Sequence, residues 1–472
     1  MKSNHLKYGF WSLFLWMSLT FSMTYAQSMS RTAYFMDNAT HRHLMNPALV
    51  PVRGYISIPV VGAFSLGFES NMQFTDFIYP AETKGGKLRS FLNETIDGNE
   101  FLSRMDPVNY FRMDVRTSLV SLGYYTGTGF WTFDVASRTN LSMNLPYDLF
   151  AFAKLGMANT EGNEYHLKDL SVGASMFAEA SLGYSQNLMN NLRIGGKLKF
   201  LAGGANVKAN INKMDIEMRP DVWTITTEGQ LDAYGKGLEL KKDSAGSING
   251  VGFNSPGLGG TGLAIDLGVN YSPIENLDLS IGILDLGGIK WKKDNIKTAM
   301  SSGQVSFTGL SGITADSTNS ENLENQLKDL SDDLIRMADF KERSVVEDYI
   351  QKLAPTLNAG IEFSMLNNKI SLGGLYSIRM MEYGNYSELT GSLNLRPASW
   401  FNLSGSYSCV QGKMETFGFA LGFAPGLINL FISSDYVFMK VTPQYIPLNT
   451  FTSNIQLGVS IPLGRGVLPQ KH

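Results

Sequence analysis

Residues 261–288 read TGLAIDLGVNYSPIENLDLSIGILDLGG, and this stretch indicates the fold class. Apolar side chains occupy every second position from Leu263 to Tyr271. After a tight turn at 273–276, a second apolar and polar run covers 277–288. Alternation with period two turns one face of a strand towards an apolar medium and the other towards a polar one. The stretch therefore predicts two strands joined by a short turn, with one face against an apolar environment.

The same pattern recurs along the chain in runs of about ten residues. Short turns at one end and long connections at the other are typical of a transmembrane antiparallel β-barrel, and an even strand number suits a single-chain barrel. We predict an all-β barrel of about fourteen strands at 55–69, 115–125, 129–142, 171–187, 192–206, 261–272, 277–288, 355–365, 369–380, 387–395, 402–410, 415–423, 427–438 and 451–463.

Two long connections, 207–260 and 289–354, have patterns of their own and are predicted to be extracellular inserts. The first contains an alternating run at 223–228, which predicts a hairpin that rises above the membrane. Within the second, residues 320–353 resemble a helix, because leucines recur on one stripe with acids between them. Such a helical insert is either a lid or partner-binding surface, or a helix pair packed on the barrel mouth. The stripe leucines are Leu323, Leu327, Leu330 and Leu334.

The N-terminus has the pattern of a signal peptide. Lys2 and Lys7 precede an apolar run from residue 10 to residue 21, and small residues before Ala26 predict cleavage after that residue. The run is too short to span a membrane as a helix, although a retained anchor is the alternative. Cleavage would remove two positive charges and change the net charge from −3 to about −5. We expect export to a bacterial outer membrane, where the partners are membrane lipid and the barrel-assembly machinery.

Composition and motifs argue against several other classes. Mean hydropathy is −0.07, and no long apolar run follows residue 26, which disfavours a helical membrane protein. The net charge is small and no basic tract interleaves with aromatics, so nucleic acid is not expected. The single Cys409 lies in a predicted strand and has no disulfide partner. A soluble, exported β-rich protein remains the alternative fold class.

Signals for catalysis and metal binding are weak. His41 and His43 form a His-x-His pair, but a third ligand is not apparent, and His166 stands alone in a predicted loop. The common nucleophile, zinc and phosphate-loop motifs are absent from the sequence. We therefore expect no enzyme activity, no cofactor and no metal. A barrel hydrolase stays as a third possibility.

Strand parity predicts which charged side chains face the lumen. Lys or Arg on the lipid face near the bilayer midplane would cost about 2–4 kcal/mol, so charged positions are placed inward. Their signs are nearly balanced, which favours pairing across the lumen and a narrow or gated barrel over a wide charge-selective pore. The predicted lumen-facing charges are Asp134, Arg138, Glu179, Arg193, Lys197, Lys199, Asp266, Asp278, Glu362, Arg379 and Asp435.

The residues before the first strand carry a resemblance to a known family. Asn46, Pro47 and Ala48 lie between the signal peptide and a predicted fourteen-stranded barrel. This arrangement resembles the FadL-type long-chain fatty-acid transporters and, equally, the related PorV-like barrels of type IX secretion. Taken apart from the resemblance, Asn-Pro is a common turn dipeptide.

The resemblance implies that residues 27–54 fold into the lumen as a hatch or plug, and that hydrophobic ligands leave sideways into the membrane. The implied layout is a signal peptide (1–26), the hatch (27–54), the barrel (55–463) and a periplasmic tail (464–472). The first functional interpretation is a channel or binder for hydrophobic small molecules. The alternative is a non-transporting scaffold of a secretion or surface-attachment system, whose loops dock secreted or surface proteins.

Overall fold

The computed structural model describes residues 23–24, 29–79, 89–156, 163–242, 246–307, 335, 337–345, 347–381, 384–412, 414–436 and 452–464. Strands dominate these residues, and the helices are short. No helix in these ranges is long and apolar enough to cross a membrane. The helices are α1 (Phe74–Phe77), α2 (Gly98–Leu102) and α3 (Tyr147–Leu155), with 3-10 turns at Arg31–Ala33, Arg42–Leu44 and Lys293–Asn295.

Twenty-two strands follow one another along the described chain from residue 54 onwards. The early ones are β1 (Gly54–Ser57), β2 (Phe64–Ser70), β3 (Ile78–Tyr79), β4 (Arg89–Ser90), β5 (Val108–Thr126), β6 (Gly129–Pro146), β7 (Glu164–Met189), β8 (Leu192–Met218), β9 (Trp223–Lys242), β10 (Ile248–Gly257), β11 (Gly260–Ile274) and β12 (Leu277–Trp291). The later ones are β13 (Ile296–Phe307), β14 (Lys341–Arg343), β15 (Tyr349–Leu353), β16 (Thr356–Met365), β17 (Ile370–Met381), β18 (Gly384–Ala398), β19 (Phe401–Val410), β20 (Met414–Phe423), β21 (Asn429–Ser434) and β22 (Ser453–Leu463). In addition, Met23–Thr24 pairs in parallel with residues 352–353.

Fourteen strand positions close into an antiparallel barrel. The first position is split between β1 and β2, and the eighth between β15 and β16. Strand β22 pairs with both β1 and β2, so the last strand closes on the first. Strand β8 pairs with β11 in the barrel and with β9 above it. The prediction of a fourteen-stranded antiparallel barrel is confirmed, and a closed ladder leaves no strand edge in the apolar zone.

The two faces of the barrel wall differ in chemistry. On β11, the side chains of Leu263, Ile265, Leu267 and Val269 are 40–55% exposed, whereas Asp266 between them is 1% exposed. The same division holds around the wall, where serines, asparagines and charged residues fill the inward positions. An apolar outer face and a polar inner face are the pattern of a barrel surrounded by lipid.

The ends of the barrel differ in construction. Short turns such as Leu366-Asn367-Asn368, whose φ values are 52° to 62°, join strands at one end, which we call the inner end. At the other, outer end, β7, β8, β9 and β13 continue beyond the barrel as a sheet. There Pro146, which has no N–H to donate, ends β6, and α3 begins at the next residue.

The outer part has its own hydrophobic core. Side chains from α2, α3 and the extended strands form one buried cluster, in which the rings of Phe91 and Phe101 stack with centroids 4.6 Å apart. Phe77, Phe150 and Tyr165 pack with this cluster. The long connections are therefore a folded structure above the barrel.

One predicted segment is corrected by the structure. The leucine stripe predicts a helix over 320–353, but β14 and β15 are strands that pair with β13 and β12. The stripe itself, at 323–334, lies outside the described residues. The prediction is wrong for residues 341–343 and 349–353 because their conformation is set by pairing with strands distant in sequence, which overrides a local helical period. The hairpin expected near 223 is observed as β9 and β10.

Because the outer face of β11 is assigned to lipid, a charged side chain on that face should destabilise the barrel. We expect Leu267→Arg, at mid-strand on the outer face, to destabilise the barrel by about 2–4 kcal/mol. Leu427→Arg, at an 89% exposed position in a connection, is the matched control and is expected to be nearly neutral. The test is the temperature at which the detergent-extracted barrel loses its heat-modifiable gel mobility. Equal shifts for both variants would contradict a lipid-facing β11.

Candidate functional site

The eleven side chains predicted to face the lumen all lie inside the barrel and are at most 9% exposed. Three ion pairs join six of them: Lys197 with Asp134 at 3.2 Å, Lys199 with Asp266 at 2.8 Å, and Arg138 with Glu179 at 3.1 Å. Arg379, Glu362 and Asp435 pair instead with residues that the prediction did not include. Near the inner end, Arg193 bonds to Ser185, and Asp278 accepts a hydrogen bond from Ser272.

The centre of the lumen is a connected network of buried charges. Asp285 contacts Arg138 at 3.0 Å and Lys199 at 2.6 Å, and Arg116 contacts the other side of Glu179 at 2.7 Å. These residues come from β5, β6, β7, β8 and β12. The network therefore links five strands across the interior.

Asp285 reaches the lumen only because β12 contains a bulge. Between Ile265 and Leu267 of β11, the partner residues on β12 change from Leu286 to Ile283, so one extra residue stands on β12. Asp285 has φ of 60°, a left-handed conformation that Asp tolerates better than most residues. A bulge re-aims a side chain. Simple parity would have put this carboxylate on the lipid face.

Sequence reasoning missed several other interior charges for similar reasons. Strand β5 begins at Val108, earlier than predicted, and a register irregularity lies between Ser118 and Val120. As a result Asp114 and Arg116 face inward, as does Ser121 beyond the irregularity. A signal was present for Arg112 and Asp114, because extending the strand back to Val108 places them on the same alternating side as Arg116. The interior charges missed were Arg31, Arg42, Glu69, Arg112, Asp114, Arg116, Asp285, Glu388 and, with 10% of its side chain exposed, Arg396.

Residues 29–53 form the N-terminal segment, which is buried against the inward faces of many strands. Arg31 forms an ion pair with Glu388 and lies 3.5 Å from Asp435. The Asp435 carboxylate also accepts hydrogen bonds from the backbone N–H groups of Arg31 and Thr32, both at 2.9 Å. On β18, Arg396 donates to the carbonyl oxygen of Phe35. One end of the segment is thus held by charged groups on β18 and directly after β21.

A closed ring of hydrogen bonds holds the middle of the segment. Lys197 Nζ donates to His43 Nδ1 at 3.1 Å and contacts Asp134. His43 Nε2 lies 2.6 Å from the Tyr55 hydroxyl, which lies 3.1 Å from Ser121 Oγ, and Ser121 donates to Asp134 at 2.5 Å. Since an ammonium can only donate, the ring requires neutral His43 with its proton on Nε2.

Both histidines of the His-x-His pair serve this packing. His41 lies 3.0 Å from both Thr40 Oγ1 and Ser57 Oγ. Burial lowers the pKa of His41 to about 4 and lowers the pKa of His43 well below its usual value. In the described part of the chain, no three His, Cys, Asp or Glu side chains cluster as metal ligands would. His166, at the outer end, lies 2.8 Å from Asp215.

Asn46, Pro47 and Ala48 lie against glycines of the wall. The Asn46 side-chain oxygen accepts a hydrogen bond from the backbone N–H of Ala48 at 2.9 Å. A Cβ at Gly268 would collide with that oxygen, and a Cβ at Gly195 would collide with Pro47. Nearer the N-terminal end of the segment, Phe35 occupies the space that a Cβ at Gly373 would need. Inward glycines thus make room for the segment.

A small polar cavity separates the segment from the central network. Its volume is about 40 Å³, room for at most a few water molecules. Arg31 and Met45 line it from the segment, and Arg116, Glu179 and Asp285 line it from the wall. Arg116 Nη1 is buried without a hydrogen-bond partner in the described residues. A water molecule in this cavity could accept a hydrogen bond from it.

The network makes a prediction about stability. We expect Asp285→Asn to destabilise the barrel by about 3–5 kcal/mol, because it leaves Arg138 and Lys199 buried without that counter-charge. Asp348→Asn is the control, since Asp348 pairs with Lys290 at an exposed position and its loss should cost at most about 1 kcal/mol. Urea unfolding in detergent measures both. A D285N barrel as stable as the control would contradict the assigned network.

The glycine contacts make a second prediction. Gly268→Val needs space that Asn46 occupies, so we expect the N-terminal segment to be displaced while the barrel stays closed. Gly405→Val is the matched control, because a Cβ at Gly405 meets nothing within 4 Å. Limited proteolysis of residues 29–53 in heat-modifiable protein should increase for G268V alone. Unchanged protection in G268V would rule out this packing.

These observations define the class of protein: a fourteen-stranded transmembrane β-barrel of the outer-membrane type, with a charged and internally bonded interior. A family model described as "Family of unknown function (DUF5723)" matches residues 47–435, and the chain belongs to this family. No curated protein matches the chain.

Solved structures that match are also barrels. The toluene transporter TodX of P. putida is 10% identical, with 94% of this chain and 96% of that chain covered and a TM-score of 0.38. A Pseudomonas aeruginosa FadL homologue is 9% identical, with 93% and 99% covered and a TM-score of 0.42. The translocator domain of the autotransporter NalP from Neisseria meningitidis is 8% identical, with 87% and 88% covered and a TM-score of 0.31. These matches include the FadL-type family that the sequence resembles.

Proposed function

We propose that this protein is a gated channel or binder for hydrophobic small molecules in a bacterial outer membrane, with the N-terminal segment as its gate. The observation that carries the proposal is the packing of residues 29–53 against inward glycines and buried charges of the lumen. The segment is joined to the barrel at Gly54, which begins β1, and the predicted cleavage after Ala26 would remove the pairing of Met23–Thr24 with residues 352–353 at its other end. It can therefore move without breaking the strand ladder.

Polar contacts hold part of the segment, beside an apolar cluster in which Tyr34 and Phe35 pack with Leu375 of the wall. Arg31, Glu388 and Asp435 at one position, and His43 and Lys197 at another, are polar groups that water can solvate when the segment moves. A buried ion pair adds little net stability over its hydrated partners, because desolvation offsets the attraction. Opening would exchange these protein contacts for contacts with water.

A feature of the wall supports a sideways path for a hydrophobic ligand. A groove of about 340 Å³ on the outer face is lined mainly by Leu182, Tyr184, Leu198, Ile265 and Leu267. Gly196 lies in this groove, while the neighbouring Gly195 faces inward against Pro47. The wall between the segment and the groove is thus one backbone thick. The hydrophobic substrate class rests on this groove and on the FadL-type resemblance.

The gate is tested by weakening its contacts. We expect Arg31→Gln, and separately Asn46→Ala with Pro47→Ala, to raise single-channel conductance or uptake of a fluorescent long-chain fatty acid several-fold. Arg53→Gln is the control, because Arg53 belongs to the same segment but bonds only to the carbonyl of Gly464.

Heat-modifiability measured on the same preparations separates gating from unfolding. Variants that keep the shift and change permeability support the gate. Variants that keep the shift and leave both conductance and uptake at the wild-type level would refute it.

The folded outer part favours a second candidate, a partner-binding scaffold. Its aromatic core and the sheet of β7, β8, β9 and β13 form a rigid surface above the membrane. Replacing residues 311–330, outside the described residues, with a short Gly-Ser linker spares β14 and β15. A scaffold should then lose a co-purifying protein while conductance stays unchanged. A channel should keep its transport activity.

A further inference from the structure

A charged cleft lies at the outer end of the barrel, outside the lumen network. Its volume is about 490 Å³, and it opens between the connection after β12 and the strand β14. Its lining residues are Lys242, Lys293, Asp294, Ile296, Lys297, Glu342, Arg343, Ser344 and Val345. Four of the nine are cations and two are acids, so the cleft has an excess of positive charge.

The ion pairs within the cleft do not neutralise all of its positive charge. Glu342 contacts Lys242 at 2.7 Å and Lys297 at 3.8 Å, and the hydrogen bond from Lys242 lowers the pKa of Glu342, so this carboxylate stays charged and balances one lysine. Among the described residues, the Lys293 ammonium and the Arg343 guanidinium have no hydrogen-bond or ion-pair partner. The backbone N–H of Lys293 donates a hydrogen bond to Asp348 Oδ1 at 2.9 Å, which holds the backbone at this position. Its side chain remains available to a ligand.

The height of the cleft relative to the membrane follows from strand register. Lys290 on β12 pairs with Ile350 on β15, and the Ile350 side chain is 58% exposed on the outer face. An exposed isoleucine at this level indicates that the apolar belt reaches it. Strand β12 ends at Trp291, and Lys293 follows two residues later. The cleft therefore lies at the level where lipid headgroups begin.

We propose that this cleft binds a phosphate group on the headgroup of an outer-leaflet glycolipid. The inference rests on the proposed outer-membrane location, though not on the gate. Basic pockets next to membrane-spanning elements recognise anionic headgroups. A guanidinium can bind a phosphate in a bidentate manner, and an ammonium acts as a compact point charge, so Arg343 and Lys293 provide complementary contacts. Lys297 and Lys242 contribute further positive charge beside them.

The experiment measures binding of the full-length barrel in nanodiscs to lipid A, compared with the same glycolipid after phosphatase treatment. We expect removal of the phosphates, or the double substitution Lys293→Gln with Arg343→Gln, to weaken binding at least tenfold, and added salt to weaken it further. The matched control is Lys168→Gln with Lys369→Gln, which removes two exposed lysines outside the cleft, one of them at the inner end. It should bind like the wild type.

Three results would overturn the proposal. The first is equal binding of phosphorylated and dephosphorylated glycolipid, and the second is wild-type binding by the K293Q/R343Q variant. The third is binding of inorganic phosphate at these residues without binding of the glycolipid, which would indicate a soluble anion as the ligand. Heat-modifiability of each nanodisc sample shows whether a barrel was present. A failure of headgroup binding is thereby distinguished from a failure of membrane insertion.

Discussion

Closure of the backbone hydrogen-bond ladder governs the other features of this structure. An open edge facing lipid would leave N–H and C=O groups without partners at a cost of several kcal/mol each. The contacts of β22 with both β1 and β2 remove that edge. Once the ladder is closed, each inward side chain is confined to one enclosed volume and each outward side chain meets lipid. The alternation within the strands follows from this division.

The enclosed volume then has to accommodate its own charges. Arg138, Glu179, Lys199 and Asp285 are nearly removed from water, and a lone charge there would be costly. Their mutual contacts satisfy most of the requirement, and the bulge at Asp285 supplies a carboxylate where two cations meet. The register irregularity in β5 has a comparable effect, because it directs Ser121 to Asp134. Local departures from regular pairing thus serve the electrostatics of the interior.

The N-terminal segment completes the interior in a different way. It fills space that the wall leaves open at inward glycines, and it contributes Arg31 and His43 to the charge pairing. Apolar side chains of the segment, among them Tyr34, Phe35 and Met36, also pack in a buried cluster with Leu375 and Phe431 of the wall. The segment is thus held by both polar and apolar contacts with the wall. The outer part has a separate hydrophobic core, rich in aromatic side chains, above the barrel strands.

Local sequence pattern is sufficient to specify the solvent and the wall of this barrel. Period-two alternation, as in Leu263 to Tyr271, is a property of an extended chain, so strands, turns and the inward position of residues such as Asp134 and Lys199 could be predicted from it. Which charges meet, in contrast, depends on tertiary structure. The pairing of Asp285 with Arg138 requires a bulge that only the neighbouring strand's register creates. Residues 341–343 and 349–353 form strands because β13 and β12 offer them backbone partners. Asn46 lies against Gly268 through a contact between residues 222 positions apart, which no local pattern encodes.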